Sequence, residues 1–242
     1  MTHICSVGIV VALASEARAL TTNAVHTGRI TPLANGAGLW LSGMGPTAAQ
    51  TAAQRLADEG AAALAIFGVA GALRADLRSG TLFCPEHVVD DNDHDYTPDP
   101  AWRARLLQRL TTKRLAVLET GSLVSVPLPL LTAAAKIAAH HRYAAAGVDM
   151  ESAVVAAVAR DHNLPFMALR AIIDEVDDTI PAALHDSVDA WGRPRPFNLI
   201  AALSRHPLLL TQLPGLQSRM QQATRALHAA ADAAGPTLGW HP

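Results

Sequence analysis

The chain has 242 residues, half of them hydrophobic, and a formal net charge of −2. That length admits one large α/β domain or two small ones. The near-neutral balance, with no block of like charges, excludes a nucleic-acid-binding face built on electrostatics. Aromatic residues make up only 4% of the chain, so its core must be assembled from Ala, Leu and Val rather than from large rings.

Ile4 to Leu13 is apolar and β-rich. It imitates a signal-peptide core, but no Lys or Arg precedes it and Glu16 and Arg18 follow at once, so it reads as a first strand. Elsewhere no apolar run approaches the roughly 18 residues a membrane crossing needs, which gives a cytoplasmic expectation. Cys5 and Cys84 lie in or beside predicted strands without zinc spacing, as small core residues in a reduced compartment would.

Gly36 to Leu41 predicts a second strand, and Ser42-Gly43-Met44-Gly45-Pro46 turns it into a helix running to about Glu59. Pro46 suits a first helical position, and the free N–H groups there can face an anion. The spelling Gly43-x-Gly45-x-x-Ala48 matches a dinucleotide fingerprint, which needs an acidic residue closing the next strand. That strand, Ala62 to Phe67, ends instead in Gly68-Val69-Ala70-Gly71-Ala72-Leu73, which reads as a Gly-rich turn after the strand, so Gly43 and Gly45 read as a tight turn that brings helix and sheet together.

Leu82 to Val89 predicts a strand feeding the acidic loop Asp90 to Asp95. His87, Asp91, Asp93 and His94 offer ligand chemistry, but no second His- or Cys-rich segment completes a metal site, and the loop reads as solvated. Trp102 to Leu110 predicts a helix, Leu115 to Leu118 and Ser122 to Val126 predict strands, and Pro129 to His140 predicts a helix. His140 and His141 read as helix-end residues, where positive charge is favoured.

Ala144 to Val148 closes a short strand, and Ala153 to Ala159 reads as a helix packed on a sheet. Asp149 and Glu151 therefore sit at a strand-to-helix joint. Leu164 to Ile173 is a buried strand that ends in Asp174, and Glu16 follows the first strand in the same way. Ligands of open α/β sheets bind outside the carboxyl ends of the strands, so these carboxylates are candidates for one site. Beyond Asp174, the polar stretch Glu175 to Pro196 is long enough for a lid. Leucine-bearing helices at Phe197 to Ser204 and Leu208 to about Ala231, interrupted at Pro207 and Pro214-Gly215, end the chain as a helical extension over 197–235. Alternating strands and helices predict a single three-layer α/β/α sandwich over 1–242; a boundary near residue 180 is the weaker division.

Three segments, in order and spacing, resemble the purine nucleoside phosphorylase and nucleosidase superfamily. They are Gly8 to Glu16; Gly43-Met44-Gly45 with Gly68 to Leu73; and Val148-Asp149-Met150-Glu151-Ser152 with Arg170 to Asp174. Together they span most of residues 4–178. The Asp-Met-Glu-Ser form, with Asp189-x-x-Gly192-Arg193-Pro194 and Arg205-His206-Pro207 in the tail, is most similar to the hopanoid-associated branch, the adenosylhopane nucleosidases. The resemblance implies a mixed, partly closed central sheet and cleavage of a purine N-glycosidic bond without cofactor or metal. It assigns Asp174 as general acid toward the base, Glu16 as activator of the attacking water, and Glu151 as acceptor for the ribose hydroxyls. It places Met150 beside the ribose and Asp149, Gly45, Val69, Ala70, Gly71 and Ile173 around the substrate. It also implies a homodimer and a lipid-linked nucleoside that needs an apolar groove or a membrane surface, for which Pro207 to Leu210 and Leu213 to Leu216 are candidates; plain core packing of these leucines is the other reading.

The chain departs from its relatives at Val69 and Ile173, which stand where many carry Ser. It also lacks their phosphate-holding arginines, having Ile66-Phe67 before the Gly-rich segment. Arg18, Arg74 or Arg170 would have to compensate, so hydrolysis is expected over phosphorolysis. A nucleosidase or phosphorylase for a small soluble nucleoside is the second enzymatic reading, and a nucleoside-binding protein without turnover is the reading of another class.

Overall fold

The structure is a computed structural model that describes residues 6–196, 198, 204–205 and 209–241. Eleven strands form one sheet, and it is organised around β4 (Ala63–Ala72), which has no solvent-facing edge. On one side β4 pairs in parallel with β11 (Phe166–Asp174) along most of its length. Its other side is shared: β1 (Val7–Val11) runs parallel to the first half, and β10 (Ala145–Asp149) runs antiparallel to the end, at Gly71 and Ala72. The sheet therefore branches. One arm leads through β1 to β3 (Gly38–Leu41) and β2 (Thr31–Pro32). Another leads through β10 to β9 (Ser122–Ser125), β6 (His87–Val89) and β7 (Asp95–Tyr96). A third runs from β11 to β5 (Leu82–Phe83) and β8 (Val117–Leu118).

Strand alternation divides the core into two layers. Leu64, Ile66 and Val10 face α2 (Pro46–Asp58) and α5 (Ser152–Asp161), which contribute Ala49, Ala52, Ala53, Ala156 and Ala159. Methyl side chains let these two helices lie close against the sheet. Ala63, Ala65 and Phe67 face the other way, toward α1 (Ala14–Leu20), α3 (Pro100–Thr112) and α7 (Leu209–Ala234). α4 (Ala133–Tyr143) covers β10, and α6 (Ala182–His185) is a single turn after β11. The mixed α/β sandwich expected from the sequence is thus the observed architecture.

Several boundaries differ from the sequence reading. β4 continues through Gly68 to Ala72 where a Gly-rich turn was expected, because Gly68 to Gly71 keep pairing with β11 and Ala72 pairs with β10. The strand expected over Leu82 to Val89 is two strands on different partners, broken at Cys84-Pro85; Pro has no N–H to give to a ladder. α4 starts at Ala133, where Thr132 Oγ1 accepts the Ala135 N–H at 3.2 Å, rather than at Pro129. α7 runs through Pro214 without interruption, Pro214 lying near its start. Its second half is core, with Ala223, Leu227, Ala230 and Ala234 buried, while Leu210 is exposed. The chain end then returns to α3, where Trp102 Nε1 donates to Leu238 O at 2.8 Å. Cys5, the helix expected over Phe197 to Ser204, and Pro207-Leu208 lie outside the described residues, apart from Asn198 and Ser204 themselves.

Candidate active site

A cavity of about 190 Å³ opens at the carboxyl ends of β1, β4, β10 and β11. Glu16, Glu151 and Asp174, 158 residues apart at the extremes of the chain, all line it. Met150, Asp149, Val69, Ala70, Gly71 and Ile173 line it too, so the convergence expected from the sequence is present. The rest of the wall is apolar and includes Leu13, Met44, Val126, Pro129, Leu130, Leu131 and Ile180. Gly45 is the exception among the expected residues, since it lies outside this cavity.

Each carboxylate is set by its local backbone. Glu16 is the third residue of α1 and turns back onto the helix start, accepting the Ala12 and Leu13 N–H groups at 2.8 Å each. This satisfies donors that a helix start leaves open. Its other oxygen accepts the Val69 N–H at 2.8 Å, joining β1 to β4. The approach requires Gly68, because a Cβ there would collide with the Glu16 carboxyl and come within 2.8 Å of Arg170 Nη1. Burial raises the Glu16 pKa, against the Arg170 charge and the three N–H donors, which lower it.

Gly43 and Gly45 both hold positive φ, +92° and +99°, which only Gly adopts without strain. The turn aims the Gly45 N–H at Glu151 Oε1, 2.8 Å away. The anion at this helix start is therefore the protein's own carboxylate, and Gly45 acts by holding Glu151. Burial pushes the Glu151 carboxyl up to about 7; Asp149 adds to the rise, while Arg170 and the Gly45 N–H oppose it.

Asp149 touches the cavity edge, but its carboxylate is engaged inside the protein. It accepts from Ser125 Oγ and Ser152 Oγ at 2.5 Å each and pairs with the fully buried Arg170. Arg170 Nη2 also stands 3.7 Å from Glu151. One guanidinium thus faces Asp149, Glu151 and Glu16. Arg170 does not line the cavity; Arg18 is exposed on α1, and Arg74 pairs with Asp76 at the surface. Among the described residues, no Arg, Lys or His lines the cavity.

Asp174 reaches the cavity through an irregularity. Ile172 pairs with Ala70 and Asp174 with Gly71, so β11 has one extra residue, Ile173, at this point. Such a bulge re-aims the following side chain. Gly71 leaves room for it, since a Cβ there would stand 3.2 Å from Asp174 Oδ2. Burial raises the Asp174 pKa and the neighbouring Lys136 lowers it, with burial prevailing. Lys136, on α4, has no exposed surface and pairs with Asp174 Oδ2. Sequence reading passed it over; the pairing depends on how α4 packs, and a lone Lys in an Ala-rich helix carries no local signal.

The expected lid stretch is stitched over the site. Ile180 N–H donates to Leu131 O at 2.8 Å, Met44 N–H to Ala190 O at 2.7 Å, and Ala14 N–H to Trp191 O at 3.1 Å. Asp189 builds this turn by accepting the Trp191 and Arg193 N–H groups at 2.9 and 2.8 Å, and Gly192 takes φ +72° within it. The residues considered as metal ligands instead form surface pairs: His87 with Asp95, His94 with Asp90, and Asp93 with Arg142. His140 Nδ1 stands 2.8 Å from Ala145 O, tying the last turn of α4 to the start of β10. Cys84 is buried, which pushes its thiol up to about 12 and leaves it unreactive at neutral pH.

A branched mixed sheet with a ligand-sized cavity at its strand ends is the nucleoside phosphorylase-like α/β fold. The family model of the phosphorylase superfamily matches residues 7–205, and the chain belongs to that superfamily. Among solved structures, it is similar to the futalosine hydrolase of Helicobacter pylori, at 17% identity and a TM-score of 0.66, over 95% of this chain and 98% of that one. It is similar to the 5'-methylthioadenosine/S-adenosylhomocysteine nucleosidase of the same organism at 16% identity and 0.66, over 95% and 99%. The nucleosidase of Neisseria meningitidis, in complex with methylthio-immucillin-A, gives 18% and 0.66, over 93% and 98%. No curated protein sequence matches the chain.

Proposed function

We propose that the protein is a purine nucleosidase that releases adenine from a nucleoside by hydrolysis. The single observation that carries this reading is the shared cavity of Glu16, Glu151 and Asp174. Asp174, whose pKa burial raises, gives its proton to N7 of the base. The C1'–N9 bond breaks with its electrons entering the purine, and the sugar becomes oxocarbenium-like. Glu151 accepts hydrogen bonds from the ribose hydroxyls, and its negative charge favours the developing cation. Glu16 takes a proton from the water that adds at C1', so nucleoside and water give free base and free sugar. Met150 packs beside the ribose, and Val69, Ala70, Gly71 and Ile173 line the remaining wall.

Water is favoured as acceptor because the cavity wall of described residues carries four carboxyl groups, Glu16, Asp149, Glu151 and Asp174, and no cation. A phosphate dianion would meet repulsion there without a guanidinium clamp. The particular substrate proposed is adenosylhopane, supported by the Asp189-x-x-Gly192-Arg193-Pro194 resemblance and by the apolar wall of Val126, Pro129, Leu130 and Leu131. A second reading, a small thioether or futalosine-type nucleoside, is favoured by what the similar solved structures are named for. Incubation with adenosylhopane, methylthioadenosine and futalosine, each with and without phosphate, tests both. Adenine from the first alone supports the lipid-linked substrate; release from a soluble nucleoside alone moves the assignment to the second reading. No free base from any substrate overturns the enzymatic reading in favour of a binding protein.

A further inference from the structure

Lys136 is a buried ionisable group with no part in the chemistry above, and it touches that chemistry directly. Lys136 has no exposed surface, although removing an ammonium from water costs several kcal/mol unless it is fully partnered. Its three donors are matched: Glu175 O at 2.6 Å, Asp178 O at 3.2 Å, and Asp174 Oδ2. Lys136 is not part of the cavity wall and Asp174 is. The cation therefore stands behind the carboxyl, out of reach of substrate.

We infer that Lys136 is a positioning residue for proton donation, fixing the Asp174 carboxyl at the cavity wall and stabilising the carboxylate left once its proton has gone to the base. The inference rests on Asp174 being the general acid. With Oδ2 accepting from the ammonium, the transferable proton resides on Oδ1, where no hydrogen bond is recorded among the described residues. One anchor thus sets both which oxygen carries the proton and how the carboxyl is turned. The two backbone carbonyls belong to the segment just after β11, so Lys136 also ties that segment to α4.

The charge on Lys136 has a second effect. Burial alone would leave Asp174 a weak acid, slow to protonate a purine nitrogen, whereas an adjacent ammonium favours the ionised product. The other charged groups facing Asp174 oppose each other: Asp178 raises its pKa and Arg219, from α7, lowers it. Arg219 and Asp178 are themselves paired at 2.6 Å, and Glu175 is paired with Arg78 at 3.2 Å. Lys136 is the charge that dominates the balance against burial.

Lys136→Met and Lys136→Gln, assayed against wild type on a nucleoside that wild type cleaves, test this. The expected result is a fall in kcat of about 10- to 100-fold with KM within about threefold. The alkaline limb of kcat/KM, where Asp174 loses its proton, should move up by about one pH unit or more, because removing the cation favours the protonated acid. A merely structural lysine would lower stability and leave that limb in place, and an unmoved limb overturns the inference. Carboxyl ¹³C titration of Asp174, with the Lys136 ¹⁵Nζ resonance followed in wild type, reads the same coupling without turnover. Nζ should shift through the Asp174 titration; an Nζ that ignores it overturns the inference even if neither variant folds. Wild type that cleaves nothing defeats the functional reading instead, and the titration still decides the role of Lys136.

Discussion

Glu151 faces two carboxylates and one guanidinium, and its late ionisation follows from that crowd. Its carboxyl is pushed up to about 7, and the proposed role requires the ionised form. Activity as kcat/KM should therefore rise with pH along an acid limb near pH 7 in the free enzyme; a pH–rate profile checks this, and a limb near 4.5 would contradict it. The same shift has the opposite sign for stability. A carboxyl whose folded pKa is raised contributes stability that is fully present below its unfolded value and is lost as pH rises through the folded one. Thermal melts should show Tm falling between pH 5 and pH 8, with a smaller fall in Glu151→Gln. Asp149 differs in being wholly engaged, so Asp149→Ala leaves Arg170 buried without its main partner. A loss of about 3–5 kcal/mol in chemical denaturation is expected.

At the scale of elements, the site is made by strand ends that glycine keeps thin. Gly68→Ala would drive a methyl group into Glu16 and Arg170. We expect a cost of about 1–3 kcal/mol from overpacking and loss of most turnover, measured by denaturation and base release. The strap over 185–196 is held by Asp189, so Asp189→Ala should raise KM several-fold while kcat changes less. Steady-state kinetics separate the two, and an unchanged KM would show that the strap does not bear on substrate. The sequence made much of this legible. β1, α2, α5 and β11 announce themselves by apolar runs, Pro46 and small-residue patterning, and their ends carry Glu16, Glu151 and Asp174. Less legible were the features fixed by long-range pairing. Gly68 to Ala72 read as a turn because glycine is intrinsically turn-forming, yet β11 and β10 hold it in the sheet. The bulge at Ile173 and the burial of Lys136 leave no local trace, since each depends on a partner distant along the chain.

For the whole molecule, the chain ends close on the scaffold rather than on the cavity: the second half of α7 and Leu238 fill the layer beneath the sheet. No helix among the described residues is long and apolar enough to cross a membrane. The expected homodimer can be checked by sedimentation. The proposed reaction has water attack C1' in a cavity lined by four carboxyl groups and, among the described residues, by no cation. Its most direct test is to run the reaction in H₂¹⁸O containing phosphate and weigh the sugar product. One ¹⁸O at C1', with adenine released in equal amount and Asp174→Asn inactive, is the predicted result. A sugar 1-phosphate, or full activity in Asp174→Asn, would contradict it.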